Sequence, residues 1–209
     1  MTVNWLRRRW LPLTVLVAAT SLLVASIAWA AGSAAWSPVG GMMGPAVRGD
    51  GPVRDLGAAD RAAARFGQRL GLTVGEVMRF DNGFYAELVD PAGNRATEVL
   101  VDPATGAVGL EWGPAMMWNT AYGMHPGHGD RQPSIGADQA RRLADAWLTD
   151  NRRGEHADEP EAFPGYYTLH TLRGERIVGM LSVHATTGAV WYHTWHGRFI
   201  AMREHTKPG

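Results

Sequence analysis

Five methionines and two histidines lie in two glycine-rich stretches, and these are the side chains best suited to chemistry in this sequence. Met42 and Met43 lie in the first stretch. The second stretch holds the candidate metal ligands Met116, Met117, Met124, His125 and His128. Thioethers and imidazoles suit Cu(I), and flexible glycine-rich backbone lets them converge on one ion. The pattern predicts copper(I) as the cofactor, if there is one. The alternative is that these methionines fill gaps or belong to a linker.

A zinc site or a hydrolytic site is not expected. The sequence lacks cysteine and lacks an H-E-x-x-H motif, which would place two histidines one helical turn apart. His193 and His196 lie in a strand-like pattern, in which they would face opposite sides of a sheet. No nucleophile elbow or phosphate-binding loop occurs in a suitable context. We therefore predict no catalytic or cofactor-binding residues and no enzymatic activity. A hydrolase that uses His184, His193 and His196 with carboxylates is the remaining alternative.

The last strand-like segment is rich in aromatic residues and histidines. Alternation along a strand places Trp191, His193 and Trp195 on one face and His196 on the other. These four residues form a predicted binding surface. The alternative is a core strand with aromatic packing.

Composition excludes several classes of protein. The chain has 209 residues, an ordinary apolar fraction of 45% and a formal net charge of zero. Its basic residues are not clustered as a nucleic-acid surface requires. Without cysteine, neither disulfides nor thiolate sites can form.

The N-terminus predicts export. Arg7 to Arg9 precede an apolar run, and Ala28-Trp29-Ala30 fits the small-x-small cleavage rule. The run is about as long as the shortest membrane-spanning helix, so both a cleaved signal and a retained anchor are open. Because the positive charges precede the run, we expect the rest of the chain outside the cytoplasm.

A duplicated segment indicates the elements that must position these residues. Residues 101–108 read V-D-P-A-T-G-A-V, and residues 183–190 read V-H-A-T-T-G-A-V. Each copy predicts a β-hairpin, because apolar residues flank a polar turn whose glycine favours positive φ. Helical periodicity precedes each copy, over 58–70 and 139–148. Strand patterns cover 74–80, 84–89, 97–101 and 108–112 in the first half, and 166–172, 178–183 and 189–195 in the second.

The segments predict an α+β fold with two repeats of a helix packed on a small antiparallel sheet. The predicted order is a signal or anchor (1–30), a flexible tether (31–55), unit 1 (56–112), a Met/His/Gly linker (113–133), unit 2 (134–200) and a tail (201–209). Asp158, Glu159 and Glu161 fall in a polar loop of unit 2, where they are expected to be solvated.

The helix followed by antiparallel strands with V-D-P-x-T-G-x-V resembles the PepSY domain of exported bacterial proteins and protease propeptides. Residues 58–112 carry this resemblance more fully than residues 134–195, where His184 and Ala185 replace Asp-Pro. Met-Met-Trp-Asn at 116–119 and Trp-Tyr-His-Thr-Trp-His at 191–196 further resemble small exported proteins with two such units, sometimes labelled metalloprotease-related. The resemblance implies a helix-on-sheet fold. It also implies an extracytoplasmic role in binding or inhibiting a protein partner such as a protease.

Overall fold

A computed structural model describes residues 48–127 and 133–204. The predicted signal or anchor at 1–30, most of the predicted tether, His128 and the end of the predicted tail lie outside these residues. Within the two described ranges, no helix has the length and apolar character needed to span a membrane.

The first half of the described chain is a helix followed by four strands. Helix α1 (Leu56–Gln68) begins at Asp55, whose carboxylate accepts a hydrogen bond from the Ala58 amide at 2.8 Å. The strands are β1 (Thr73–Phe80), β2 (Gly83–Val89), β3 (Arg95–Val101) and β4 (Val108–Leu110). The apolar face of α1, including Ala62 and Phe66, packs against this sheet.

The second half follows a short helix in the linker, α2 (Pro114–Met117), and is again a helix followed by strands, here five of them. Helix α3 (Ala137–Asn151) is followed by β5 (His156–Ala157), β6 (Glu161–Phe163), β7 (Tyr166–Arg173), β8 (Arg176–His184) and β9 (Val190–Tyr192). Both hairpin-closing strands are shorter than predicted, since β4 ends at Leu110 and β9 at Tyr192.

The last strand, β10 (Phe199–Glu204), leaves its own half and pairs antiparallel with β1. Sheet 1 therefore has the order β10-β1-β2-β3-β4. Sheet 2 has the order β5-β7-β8-β9, with β6 also paired to β7. The strand β10 spans the end of predicted unit 2 and the start of the predicted tail, and its pairing ties the second half of the chain to the first.

The duplicated hairpins close their turns with equivalent hydrogen bonds. The Asp102 carboxylate accepts hydrogen bonds from the amides of Ala104 and Thr105, at 2.9 and 2.8 Å. In the second copy, His184 Nδ1 accepts from the amides of Thr186 and Thr187, at 3.1 and 3.4 Å. The glycine that follows has φ near +70° in both copies. The imidazole therefore replaces the carboxylate as the acceptor that closes the turn.

The two sheets pack face to face between the two long helices. Helix α1 covers one face of sheet 1, and α3 covers the outer face of sheet 2. Met78, Tyr85 and Leu100 of sheet 1 contact Met180 of sheet 2. The layers are therefore α1, sheet 1, sheet 2 and α3, which confirms the predicted α+β class with two helix-on-sheet repeats.

Candidate functional site

Four glutamates cross the inner face of sheet 1, and we call them the carboxylate row. Glu76 lies on β1, Glu87 on β2, Glu98 on β3 and Glu111 directly after β4. Glu87 and Glu98 are opposite each other across the strand pair, and the Glu111 amide donates to the Glu98 carbonyl at 2.9 Å. None is more than 6% exposed. Because like charges on neighbouring strands repel, each carboxylate needs a partner or a proton.

Basic groups neutralise one end of the row. Arg95 Nε donates to Glu87 at 2.8 Å, and the same guanidinium is bonded to Glu161 of β6. His170 Nε2 of β7 lies 3.4 Å from the Glu76 carboxylate. Glu161 was expected in a solvated loop, but it lies in a strand and is largely buried against Arg95. Burial, and then the charge of Glu161, raise the pKa of Glu87 to about 7 despite the attraction of Arg95.

The centre of the row is held by tyrosines. Tyr85 donates to Glu98 Oε1 at 2.9 Å, and Tyr166 of sheet 2 donates to Glu98 Oε2 at 2.7 Å. Burial, and then the charge of Glu111, raise the pKa of Glu98 well above its ordinary value. The Tyr–Glu–Tyr bridge therefore joins the two sheets through a carboxyl group that favours its neutral form.

The far end of the row is a cluster of Glu111, His193 and His196, which we call the Glu111 cluster. His196 Nε2 lies 2.7 Å and His193 Nδ1 lies 3.4 Å from Glu111 Oε1. Trp195 Nε1 donates to the same oxygen at 3.1 Å. All three side chains of the cluster are at most 4% exposed.

The expectation that His193 and His196 face opposite sides of a sheet is wrong. Strand β9 ends at Tyr192, and the chain then turns, with the Thr194 amide bonded to the Tyr192 carbonyl and the His196 amide bonded to the His193 carbonyl. Alternation applies only within a strand. The turn instead brings both imidazoles to one carboxylate.

Packing fixes both rings of the cluster. His196 stacks on Phe80 with ring centroids 4.2 Å apart, and His193 stacks on Trp195 at 4.6 Å. His193 Nε2 is hydrogen-bonded to Ser182 Oγ at 2.9 Å, and Ser182 continues to Thr168 of β7. The rings therefore have little freedom to reorient around Glu111.

Burial opposes ionisation of Glu111, but the neighbouring imidazoles outweigh it. The positive charges of His193 and His196 favour the ionised carboxylate and keep the pKa of Glu111 well below its usual range. Burial lowers the pKa of His196, although Glu111 opposes this shift. The cluster is thus the end of the row where a carboxylate is held ionised.

The predicted binding surface of Trp191, His193, Trp195 and His196 is split by the structure. The two histidines are interior members of the Glu111 cluster, whereas Trp191 is 39% exposed. Trp191 contacts Trp118 and Trp195, with ring centroids 5.5 and 6.5 Å apart. Trp118, Trp191 and Trp195 therefore form one aromatic surface that is continuous with the linker and contacts the cluster where Trp195 stacks on His193.

A cleft of about 530 Å³ lies beside this surface. The linker forms one wall, where the Thr120 amide donates to the Pro164 carbonyl at 3.1 Å. The turn after β8 forms another wall, where the Ala185 amide donates to the Gly165 carbonyl at 2.9 Å. Its lining includes Met117, Trp118, His125, Phe163 and His184.

The predicted copper ligands are distributed between the interior and the surface. Met116 is buried, whereas Met117 and Met124 are 54% and 43% exposed. The Met124 amide donates to the Met116 carbonyl at 2.8 Å. His125 is exposed and lines the cleft with Met117, and His128 lies outside the described residues.

Sequence reasoning missed the carboxylate row and the role of Glu111. A detectable signal existed, because each glutamate interrupts an otherwise apolar strand pattern, as in Ala86-Glu87-Leu88 and Leu110-Glu111-Trp112. A charge at an inward-facing position of a strand needs a buried partner. The identity of that partner depends on packing between the sheets.

No protein-family model matches this sequence, and no curated protein matches it significantly. Among solved structures, the Bacillus megaterium YpeB C-terminal domain matches with a TM-score of 0.35 and 13% sequence identity. The match covers 69% of this chain and 67% of that chain. The function of this chain must therefore be inferred from its own contacts.

Proposed function

We propose that this protein is a non-enzymatic binding module of the cell envelope. In this proposal, residues 1–30 direct export, and the cleft beside the aromatic surface holds an uncharged, extended segment of a protein partner such as a protease. The single observation that carries the proposal is this open cleft of about 530 Å³, bordered by exposed apolar side chains.

The lining of the cleft favours an uncharged ligand. No described residue of the lining is an aspartate, glutamate, lysine or arginine. Phe163, Pro164 and Trp118 offer apolar contact, while Asn119 and the threonines offer polar atoms. The lining therefore combines apolar walls with polar groups that can fix a ligand's orientation.

The rim of the cleft also favours a protein partner. Met117 is the most exposed large apolar side chain among the described residues, and Trp191 lies close by against Trp118. Exposed apolar groups that adjoin one another mark interaction surfaces, and Met and Trp are enriched at the centres of interfaces.

Site-specific photo-crosslinking tests the proposal. A photoreactive amino acid replaces Met117 in the full chain, and a matched one replaces Ile200, which is 47% exposed on β10 and lies outside the cleft lining. We expect one envelope protein to crosslink from position 117 and not from 200. The purified partner should then bind Met117→Arg at least about 10-fold more weakly than wild type, a loss of about 1.4 kcal/mol. Ile200→Arg should change affinity less than about 2-fold. Equal effects of the two arginines would reject the cleft as the binding site.

Copper(I) binding by the linker is a second candidate function. Met117 and His125 line the same cleft, and the Met124–Met116 hydrogen bond keeps the segment folded back on itself. Soft thioethers favour Cu(I). Titration with Cu(I) against a competing chelator should distinguish wild type from a variant that lacks Met116, Met117, Met124, His125 and His128. Equal, weak binding by both proteins would leave the stretch as a linker.

A further inference from the structure

The Glu111 cluster contacts the aromatic surface through Trp195 and is separate from the cleft, because none of its three residues lines the cleft. One ligand atom from each of Glu111, His193 and His196 can be chosen so that all three lie within 4.8 Å of one another. Two of the residues come from the turn after β9 and one from the segment after β4. Two parts of the chain that are far apart in sequence thus place two imidazoles and one carboxylate around a common point.

The polar atoms of this cluster are not satisfied by the protein. Glu111 Oε2, His193 Nδ1 and His196 Nε2 are buried and have no hydrogen bond of acceptable geometry. The 2.7 Å contact between His196 Nε2 and Glu111 Oε1 is therefore close in distance but misaligned for donation. Buried polar atoms without partners are rare and costly. A cation at the common point would satisfy the carboxylate and both nitrogens together.

The spacing is compatible with tetrahedral coordination. Ligand atoms about 2.0–2.1 Å from a tetrahedral zinc ion are about 3.3 Å from one another. The 3.4 Å separation of His193 Nδ1 and Glu111 Oε1 already matches this value. The His196–Glu111 pair, at 2.7 Å, must open by about half an ångström. The third pair, the two imidazole nitrogens, lies within 4.8 Å.

Neighbouring side chains orient the proposed ligands through hydrogen bonds, as the residues around a metal site do. Ser182 Oγ binds His193 Nε2 at 2.9 Å, and when that nitrogen carries the proton, Nδ1 presents its lone pair toward Glu111. Trp195 Nε1 donates a hydrogen bond to Glu111 Oε1, while Glu111 Oε2 has no hydrogen-bond partner. A hydrogen bond to the second ring nitrogen orients a ligating histidine and sets its tautomer.

The ligand types select the ion. Two imidazoles and one carboxylate suit borderline divalent transition metals, of which zinc is bound in this way by His₂Glu sites. Magnesium and calcium prefer all-oxygen sites, and Cu(I) prefers sulfur. We propose that Glu111, His193 and His196 bind one divalent transition-metal ion of the zinc type, with Glu111 Oε2 or water completing the coordination.

The chain supplies a matched control for testing this site. His170 Nε2 lies 3.4 Å from Glu76 and is also buried, but among the described residues this pair belongs to no group of three potential ligands. His170→Gln therefore removes a buried histidine from a carboxylate without touching the proposed site. Glu111→Gln and His196→Gln remove a ligand atom and largely preserve side-chain volume.

The test uses the full chain, purified in mild detergent and stripped of metal with a chelator. Co²⁺ is titrated while the visible absorption of tetrahedral cobalt is recorded, and Zn²⁺ is then added in competition. We expect one equivalent to bind to wild type and to His170→Gln with affinities within about 2-fold. Glu111→Gln and His196→Gln should weaken binding by more than about 100-fold, since even the loss of a supporting hydrogen bond weakens metal sites 10–100-fold. Binding by neither metal, or equal weakening by His170→Gln and His196→Gln, would overturn the proposal.

A measurement on wild type keeps the test decisive if a variant fails to fold. Imidazole nitrogen resonances of ¹⁵N-labelled protein are recorded before and after one equivalent of Zn²⁺. The signals of His193 Nδ1 and His196 Nε2 should shift most among the histidines. Unchanged signals from these two rings, or shifts confined to His125 and His128, would contradict the assignment.

Discussion

At the scale of single residues, this chain shows one side chain replacing another of different chemistry. Asp102 and His184 occupy the same place in the two hairpins, and both accept hydrogen bonds from the two following turn amides. Burial lowers the pKa of His184, which favours the neutral ring that can accept through Nδ1. The two repeats therefore close the turn with the same amide hydrogen bonds, although the accepting residue differs.

Substitution of His184 tests this equivalence. His184→Ala removes the acceptor and should lower the free energy of unfolding by about 1 kcal/mol, the usual cost of losing a side-chain cap to backbone amides. His184→Asp should stay within about 0.5 kcal/mol of wild type, because the carboxylate can accept as Asp102 does. Urea denaturation at pH 7 measures both values. If His184→Asp is as unstable as His184→Ala, the imidazole contributes through its contact with Trp118 instead.

At the scale of elements, β10 is the strand that makes the two halves interdependent. It covers the edge of β1 along five registered residue pairs, from Glu76 to Phe80 on β1. Phe199 packs edge-on against Phe80, which also stacks on the ring of His196. The same chain segment therefore closes sheet 1 and carries the turn of the Glu111 cluster.

Truncation measures the contribution of β10. Removing residues 199–209 should lower the free energy of unfolding by at least about 2 kcal/mol, because ladder hydrogen bonds and the apolar contacts of Phe199 are both lost. Amide exchange in β1 should accelerate, since its edge becomes open to water. Removing only residues 205–209 is the control and should leave both measurements near wild type. Unaltered exchange in β1 of the longer truncation would show that β10 pairing does not hold sheet 1.

At the scale of the whole molecule, the interface between the sheets contains a row of buried ionisable groups beside its apolar contacts. Glu87 is faced by Arg95 of β3, Glu161 of β6 and Glu76 of β1. His170 of β7 is faced by Glu76, Glu161 and Asp158. Burial lowers the pKa of His170, but the nearby carboxylate of Glu76 outweighs it, and the net shift is upward. Both groups therefore bind protons more tightly in the folded protein than in the unfolded chain.

The contributions of Glu87 and His170 to stability should fall as pH rises, whereas the lowered pKa values of His184 and His196 act in the opposite direction. Glu87 has a folded pKa of about 7 against 4.5 when unfolded, so its contribution is full below pH 4.5 and is lost as pH rises to about 7. The raised pKa of His170 adds stability below about pH 6.5 that is lost as pH rises through its folded pKa. The Glu87 shift corresponds to a loss on the order of 3 kcal/mol between pH 5 and 8.

Urea denaturation of wild type and Glu87→Gln at pH 5 and pH 8 measures this dependence. The variant should lose less stability than wild type over that interval, because glutamine has no proton to release, while Arg95 keeps its bond to Glu161. Asp90→Asn, at an exposed turn, is the control and should not flatten the loss. Parallel pH dependence in wild type and Glu87→Gln would mean that Glu87 ionises in the fold as freely as in the unfolded chain.

The sequence by itself determined the features that depend on neighbouring residues. The hairpins at 101–108 and 183–190 were predictable because a glycine at positive φ and a side-chain acceptor close each turn within a few residues. The two long helices followed from the spacing of apolar residues, and with the hairpins they predicted the α+β class. Leu70 was the exception on α1, since the helix ends at Gln68 and leaves Leu70 exposed.

The tertiary structure alone decided the site. Strand periodicity predicted His193 and His196 on opposite faces, but β9 stops at Tyr192 and a turn unites them. Their partner Glu111 is more than 80 residues earlier in the chain, and β10 pairs with a strand more than 110 residues away. Such contacts depend on how two sheets pack against each other, and periodicity within one strand carries no information about that packing. For this reason the sequence shows the glutamates as charges inside apolar strands. It does not indicate which histidines, tyrosines and arginine face them.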